Sequence, residues 1–170
     1  MTNLEVLRAQ KDDFFGTDLH SPLTAEQKNN FDGLNYFPEN PALRLEVMVA
    51  EFEPKEKIIM QTTTGDEQHY ARYGKFKFSV DEQEAELTIF ENAHGFFLPF
   101  VDSLMNKETY PAGRYLEPEP LGDGKFLVDF NLAYNPYCAY NDRWSCPLTP
   151  FENRLKVPIR AGEKLYQTDH

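Results

Sequence analysis

The segment from Lys125 to Asn131 places two polar side chains where they could act together. Apolar and other residues alternate along it, so in a β-strand its phenylalanines and valine share one face, while Asp129 and Asn131 share the other. On the wall of a cavity, a carboxylate and an amide could bind and polarise a ligand. On an open face the pair would only contact water, and the pattern alone leaves both interpretations open.

A second candidate region is the irregular stretch from Tyr134 to Asn153, which holds the only tryptophan and both cysteines. A segment of more than about 12 residues without regular structure is usually functional or disordered, and the aromatic residues here argue against disorder. We therefore predict a packed functional loop. Its candidate site residues are Tyr134, Asn135, Cys138, Glu152 and Asn153.

The two cysteines, Cys138 and Cys146, do not have the spacing of a metal site. Seven residues separate them, whereas zinc ligand pairs are two to four residues apart, so we predict no metal. Cys138 is a candidate catalytic thiol if a base or a cation lowers its pKa. The alternatives are two small buried residues that pin the loop, or a disulfide if the side chains meet, and in a reducing compartment we expect free thiols.

A proline and a glycine before Arg114 predict a turn that presents this side chain beside Tyr110. An arginine in that setting could clamp a carboxylate or a phosphate of a ligand. It could equally form a buried ion pair with Asp129 or Glu152 and hold the loops together. Both roles remain open from the residues alone.

From residue 43 onward the apolar residues recur every second position, which predicts β-strands. The predicted strands lie within residues 43–49, 58–60, 70–80, 84–89, 96–100, 126–130 and 155–159. The last should lie at a sheet edge or end in a bulge, because Pro158 cannot donate a ladder hydrogen bond. Short strands joined by tight turns favour a curved antiparallel sheet that forms a barrel or a sandwich.

The first 33 residues are predicted to be helical. Apolar residues from Leu4 to Phe15 recur near the helical period, and Thr24 with Gln27 has the spacing of a capping box. Helices this short must dock an apolar stripe on a larger structure, and we expect that structure to be the β-sheet. The predicted fold is therefore mainly β, a single domain over residues 1–170, with a helical segment (1–33) packed on a β domain (34–170).

The composition indicates a globular protein and excludes several partners. Seventeen basic against 28 acidic side chains give a formal net charge of −11, which is the wrong sign for neutralising phosphates. We therefore expect neither nucleic acid nor an anionic membrane as a partner. The chain has no stretch near the roughly 20 apolar residues of a membrane span and no secretory signal at its start, so we expect a cytoplasmic protein.

Several longer motifs carry a resemblance to a known family. They are Lys11–Phe15, Ser21–Leu23, Phe97–Phe100, Glu108–Tyr110, Gly113–Leu116, Asp129–Asn131, Asn135–Ala139, Cys146–Pro147, Glu152–Leu155 and Ala161–Lys164. Through them nearly the whole chain resembles a bacterial and archaeal family, domain-of-unknown-function family 1684. The departures at Pro111, Thr149 and Phe151 affect only local loop shape. The family has no established activity, so the resemblance implies kinship without a mechanism.

These residues together predict a polar pocket that needs no cofactor. In it Arg114 would anchor an anionic group, Asp129 or Glu152 would act as general base, and Asn131 and Asn135 would orient the ligand. The expected function is small-molecule binding or a hydrolase-like reaction, and whether the protein is an enzyme stays open. The alternative is a non-catalytic binding or interaction domain in which the same groups form a structural hydrogen-bond network. The oligomeric state is not predicted.

Overall fold

The computed structural model describes residues 2–141 and 143–166, and two antiparallel β-sheets form its body. The strands are β1 (Arg44–Met48), β2 (Ala50–Glu51), β3 (Lys57–Gln61), β4 (Glu67–Val80), β5 (Gln83–Asn92), β6 (Gly95–Phe100), β7 (Arg114–Leu116), β8 (Glu119–Gly122) and β9 (Lys125–Asp129). One sheet has the order β1–β9–β8, and the other has the order β2–β4–β5–β6–β7 with β3 also paired to β4. The mainly β, antiparallel fold is confirmed, and its sheets are arranged like a sandwich.

The main core lies between the two sheets. Alternation along the strands sends one face of each sheet inward, so Val128 of β9 and Ile89 of β5 are both fully buried. Phe130, directly after β9, packs its ring 5.4 Å from that of Phe78 and 5.2 Å from that of Phe100. This packing fixes the point at which the chain leaves β9 and enters the predicted site region.

The N-terminal helices are α1 (Asn3–Thr17) and α2 (Ala25–Asn29). The capping box at the start of α2 is present, because the Thr24 hydroxyl accepts from the Gln27 amide while the Gln27 side chain accepts from the Thr24 amide. Phe15 of α1 is buried in a second apolar cluster with Tyr140 of the irregular loop. Phe15 of α1 therefore docks on that loop rather than on the sheet, and Gln27 of α2 donates to the carbonyl of Tyr140 at 2.7 Å.

In residues 2–141 and 143–166, the helices are all too short or too polar to cross a bilayer.

The strand predicted over residues 155–159 is wrong. Val157 and Ile159 are buried, as the alternation indicated. However, the Ile159 amide donates to the side chain of Asp102 at 2.7 Å rather than to a neighbouring strand. The segment makes backbone bonds to residues 101–103, from the Leu155 amide to Val101 and from the Ser103 amide to Val157. Pro158 nevertheless has no N–H to contribute, and no regular strand forms.

Candidate functional site

Arg114, a predicted ligand anchor, lies in the core with 1% of its surface exposed. Its Nη1 donates to the carbonyls of Ala161 and Glu163, at 2.5 and 3.0 Å, and its Nη2 donates to the carbonyl of Ile159 at 2.9 Å. The carboxylate of Asp102 lies 3.6 Å from Nη2. Burial lowers the pKa of Arg114 to about 10, so the guanidinium remains charged at neutral pH. Its hydrogen bonds to described residues all go to backbone carbonyls. We therefore call it a brace, meaning a side chain that holds backbone segments together.

Two glycines allow the chain to approach this brace closely. Gly113 has a φ of +108°, and a Cβ there would lie 2.7 Å from the carbonyl oxygen of Phe100. Gly162 has a φ of +79°, and its Cβ would lie 2.8 Å from the carbonyl oxygen of Phe130. Any other residue would meet both backbone strain and a clash at these positions. Gly113 thus sets how Arg114 enters the core, and Gly162 sets the path of the segment that Arg114 binds.

Glu152 and Asn153 lie against β5, away from Arg114. Asn153 is fully buried and hydrogen-bonds both the amide and the carbonyl of Thr88. Glu152 accepts from the guanidinium of Arg72, at 2.7 Å from Nη2, and from the hydroxyl of Thr88 at 2.7 Å. Burial opposes ionisation of Glu152, but these hydrogen bonds outweigh it and lower its pKa. Both side chains therefore hold the turn at residues 151–153 to the sheet.

Asp129 and Asn131 interact directly. The Oδ1 of Asp129 accepts from the backbone amide of Asn131 at 3.0 Å and from its side-chain amide at 2.9 Å. Strand alternation alone does not produce this contact, because Asp129 caps a short 3₁₀ turn over Phe130–Leu132. Asn131 in turn bonds both the amide and the carbonyl of Asn40. The pair thus fixes the turn that follows β9.

Asn135 lies beside Glu163, a residue that the sequence analysis did not single out. Glu163 is 2% exposed and accepts from the Asn135 amide at 3.0 Å and from the Tyr140 hydroxyl at 2.5 Å. It also forms an ion pair with Lys11 of α1. A glutamate next to a lysine near the end of the chain is typical of a solvated surface. Only its position in the Ala161–Lys164 motif indicated that Glu163 is important.

Asp129 and Tyr134 reach a pocket of about 180 Å³, which we call the acidic pocket. Its lining residues are Leu116, Glu117, Pro118, Glu119, Leu127, Val128, Asp129, Leu132 and Tyr134. The Tyr134 hydroxyl donates to the Glu117 carboxylate at 2.6 Å. Burial, together with this hydrogen bond, raises the pKa of Tyr134, so the phenol stays protonated. The pocket therefore combines apolar walls with carboxylates and one neutral hydroxyl.

Cys138 and Cys146, which we call the thiol pair, meet at a different place and are both free thiols. The Cys138 amide donates to the Sγ of Cys146 at 3.3 Å, and the Tyr110 hydroxyl lies 3.6 Å from the Sγ of Cys138. Hydrogen bonding with Cys146, supported by Tyr110, lowers the pKa of Cys138 to about 6. Hydrogen bonding with Cys138 and burial raise the pKa of Cys146.

The predicted site residues thus fall into four separate clusters. Arg114 and Asn135 lie around the segment from Ile159 to Lys164, and Glu152 and Asn153 lie at β5. Asp129, Asn131 and Tyr134 lie at or beside the acidic pocket, and Tyr110 meets Cys138. Within residues 2–141 and 143–166, no three His, Cys, Asp or Glu side chains are grouped so that they could hold a metal ion.

Comparisons with known proteins give a family and a related structure. The family model described as "Protein of unknown function (DUF1684)" matches residues 29–164. The solution NMR structure of an uncharacterized protein from Haloarcula marismortui is 37% identical to this chain. The similarity covers 95% of this chain and 91% of that one, with a TM-score of 0.71. None of the curated proteins compared with the chain matches it.

Proposed function

This chain belongs to the DUF1684 family, and we propose that it is a small-molecule-binding domain whose ligand carries an ammonium group in the acidic pocket. The observation that carries the proposal is the pocket itself, a concave site with apolar walls and three carboxylates. Its volume of about 180 Å³ lies below the roughly 300–1,000 Å³ of sites for drug-sized ligands. The ligand is therefore a small amine.

The acidic residues along one wall of the pocket support a cationic ligand. Glu117 and Glu119 are exposed, while Pro118 between them is buried. Both glutamates line the pocket in the segment that leads from β7 into β8, so two acidic residues contribute to the same wall. At exposed carboxylates an ion pair contributes roughly 0.2–1 kcal/mol, so two of them together favour a cation over a neutral ligand. Leu132, 47% exposed at the rim, offers apolar contact to the rest of the ligand.

The bonding of Asp129 favours binding over general-base catalysis. Its Oδ1 accepts two hydrogen bonds from Asn131, and its Oδ2 accepts from the Nε of Arg44 at 3.1 Å. A general base must accept a proton from its substrate within hydrogen-bond distance, and here the oxygens already have donors. Asp129 is therefore suited to holding the shape of the pocket, while its charge is offset by Arg44. The carboxylates of Glu117 and Glu119 attract the cation.

NMR titration of the ¹⁵N-labelled protein tests the proposal. Small primary amines are compared with alcohols and carboxylates of the same shape, such as propylamine against propanol and butyrate. We expect saturable shifts only with the amines, confined to residues that line the acidic pocket, with a dissociation constant on the order of 1 mM. Glu119→Gln should weaken this binding several-fold, because it removes one carboxylate from the wall.

The matched control is Glu84→Gln, which removes the same charge from β5, where Glu84 pairs with Lys77 at the surface. This variant should bind the amines as the parent protein does. Equal weakening in both variants would indicate only attraction to the net negative charge. That result, or amine-induced shifts that lie elsewhere, contradicts the proposed site.

A further inference from the structure

The thiol pair is a second site, independent of the acidic pocket. We propose that it reacts with small hydroperoxides, in which Cys138 is oxidised first and Cys146 then closes a reversible disulfide with it. The inference begins with how the fold brings two cysteines together across seven intervening residues. It goes beyond the proposed function, since neither cysteine lines the acidic pocket.

A 3₁₀ turn at Cys138 and hydrogen bonds between Thr63 and Cys146 hold the two cysteines close together. Cys138 lies in a 3₁₀ turn over Tyr137–Ala139. Cys146 is held by Thr63, whose hydroxyl accepts from the Cys146 amide at 3.2 Å and whose amide donates to the Cys146 carbonyl at 3.0 Å. The loop therefore folds back so that Cys146 meets Cys138, and the Sγ of Cys146 lies 3.3 Å from the backbone nitrogen of Cys138.

The surroundings give the two thiols different roles. Cys138 is half-buried, whereas Cys146 is buried. Among the described residues, Cys146 and Tyr110 hydrogen-bond with Cys138. The phenol of Tyr115 also lies close enough to interact with Cys138 electrostatically. Hydrogen bonding from Cys146 and Tyr110 lowers the pKa of Cys138 to about 6, so it is largely a thiolate at neutral pH. Cys146 keeps its proton because its pKa is raised. A partly exposed thiolate beside a protonated partner thiol is typical of a peroxide-reactive pair.

The reaction balances with a hydroperoxide as the oxidant. The Cys138 thiolate attacks one peroxide oxygen, so that an S–O bond forms and the O–O bond breaks. The departing oxygen takes a proton and leaves as water or an alcohol. Cys146 then loses its proton as its sulfur attacks the sulfur of the Cys138 sulfenic acid, which forms the S–S bond and releases water. Two thiols are oxidised and one peroxide is reduced.

The space around Cys138 favours a small oxidant. Its side chain is only partly exposed, and the Tyr110 hydroxyl lies 3.6 Å from its sulfur. Burial and the hydrogen bond with Cys138 raise the pKa of Tyr110, so this hydroxyl stays protonated and remains a donor. Hydrogen peroxide can approach such a sulfur more easily than a bulky disulfide such as glutathione disulfide.

The first test uses the reduced full chain and hydrogen peroxide. We expect the protein to become lighter by two hydrogens in its intact mass and to form no disulfide between chains, with full reversal by dithiothreitol. Trp144, the only tryptophan, lies two residues before Cys146, so its fluorescence should follow the reaction. Exclusive reaction with glutathione disulfide, or a disulfide between two chains, would overturn the proposal.

Single substitutions separate the two roles. Cys146→Ser should consume peroxide at a rate similar to the parent but end one oxygen heavier, as a sulfenic acid that dimedone traps. Cys138→Ser should lose the fast reaction. If Cys138→Ser instead reacts like the parent protein, the assignment of the reactive thiol is wrong. Ser145→Ala, next to Cys146, is the matched control and should leave the product of the reaction unchanged.

A measurement on the unsubstituted protein guards against variants that fail to fold. At pH 6, Cys138 in the folded chain should react with iodoacetamide about tenfold faster than in the urea-unfolded chain, after allowance for the lower nucleophilicity of a more acidic thiol. Peptide mapping should locate the first label on Cys138. Equal rates in the folded and unfolded chains, or first labelling of Cys146, would contradict the proposal.

Discussion

At the scale of single residues, Arg114 shows why a buried cation can be structural. The segment from Ile159 to Glu163 is not in a ladder, so its carbonyl oxygens need donors from elsewhere. The guanidinium presents several N–H groups in one rigid plane and satisfies the carbonyls of Ile159, Ala161 and Glu163 together. Its charge is offset by Asp102 at 3.6 Å. Arg114 therefore gives three buried backbone carbonyls their hydrogen-bond donors inside the core.

Arg114→Lys tests this role. A lysine keeps the positive charge but cannot reach three carbonyls at once, so buried acceptors lose their donors. We expect the free energy of unfolding to fall by about 3 kcal/mol, measured by urea denaturation. Arg154→Lys, at an exposed position, is the control and should change stability by less than about 0.5 kcal/mol. A similarly small effect at Arg114 would show that the brace is dispensable and would revive a ligand role.

At the scale of elements, the side chain of Asn153 bridges β5 and β6 at a point where their backbone hydrogen bonding is interrupted. The register pairs Phe90 with Phe97, and its continuation places Thr88 opposite Pro99. Pro99 has no N–H to donate. The Nδ2 of Asn153 donates to the carbonyls of both Thr88 and Pro99 at 2.8 Å, and its Oδ1 accepts from the Thr88 amide at 2.9 Å. One side chain thus replaces the missing ladder contacts.

Asn153→Ala should therefore leave the amide and the carbonyl of Thr88 buried without partners. We expect a loss of about 3 kcal/mol in the free energy of unfolding and faster hydrogen exchange at the Thr88 amide. Gln83→Ala, at the exposed start of β5, is the comparison and should change neither quantity appreciably. Unchanged exchange at Thr88 in the Asn153 variant would refute the bridging role.

The strands could be predicted from the sequence because their signal is local. The alternation that buries Leu87 and Ile89 in β5 lies within a few residues of chain. Val157 and Ile159 have the same pattern, yet they form no strand, since the Ile159 amide bonds a side chain 57 residues away. Periodicity predicts which face of a segment is buried. It does not predict which groups form hydrogen bonds with the backbone amides and carbonyls of that segment.

The same limit applied to the candidate site. Asp129 and Asn131 are two residues apart, and the alternation predicted that they lie on one side, although their contact comes from the 3₁₀ turn that Asp129 caps. The carbonyl partners of Arg114 are 45 to 49 residues away, and the Lys11 partner of Glu163 is 152 residues away. Such contacts depend on how the whole chain packs. The sequence therefore identified polar residues of interest but could not divide them between a pocket and structural braces.

At the scale of the molecule, Glu163 links the helical segment to the β-sheets. Its carboxylate binds Lys11 of α1 and Tyr140 of the irregular loop, while its own carbonyl accepts from Arg114 of β7. The family match begins at residue 29, after α1, whereas the similarity to the Haloarcula marismortui structure covers 95% of this chain. The packing of α1 on the loop is therefore the contact to test for the molecule as a whole.

Phe15→Ala tests how much α1 contributes. Phe15 is 2% exposed, and its ring centroid lies 5.0 Å from that of Tyr140. Removing the ring should cost about 3–5 kcal/mol in urea denaturation, because the second apolar cluster would lose its central side chain. Proteolysis should then cut first in the N-terminal segment. Leu19→Ala, in the same segment but 92% exposed, should behave like the parent protein. If both variants were equally stable, α1 would be an appendage that the β-sheets and the thiol pair do not need.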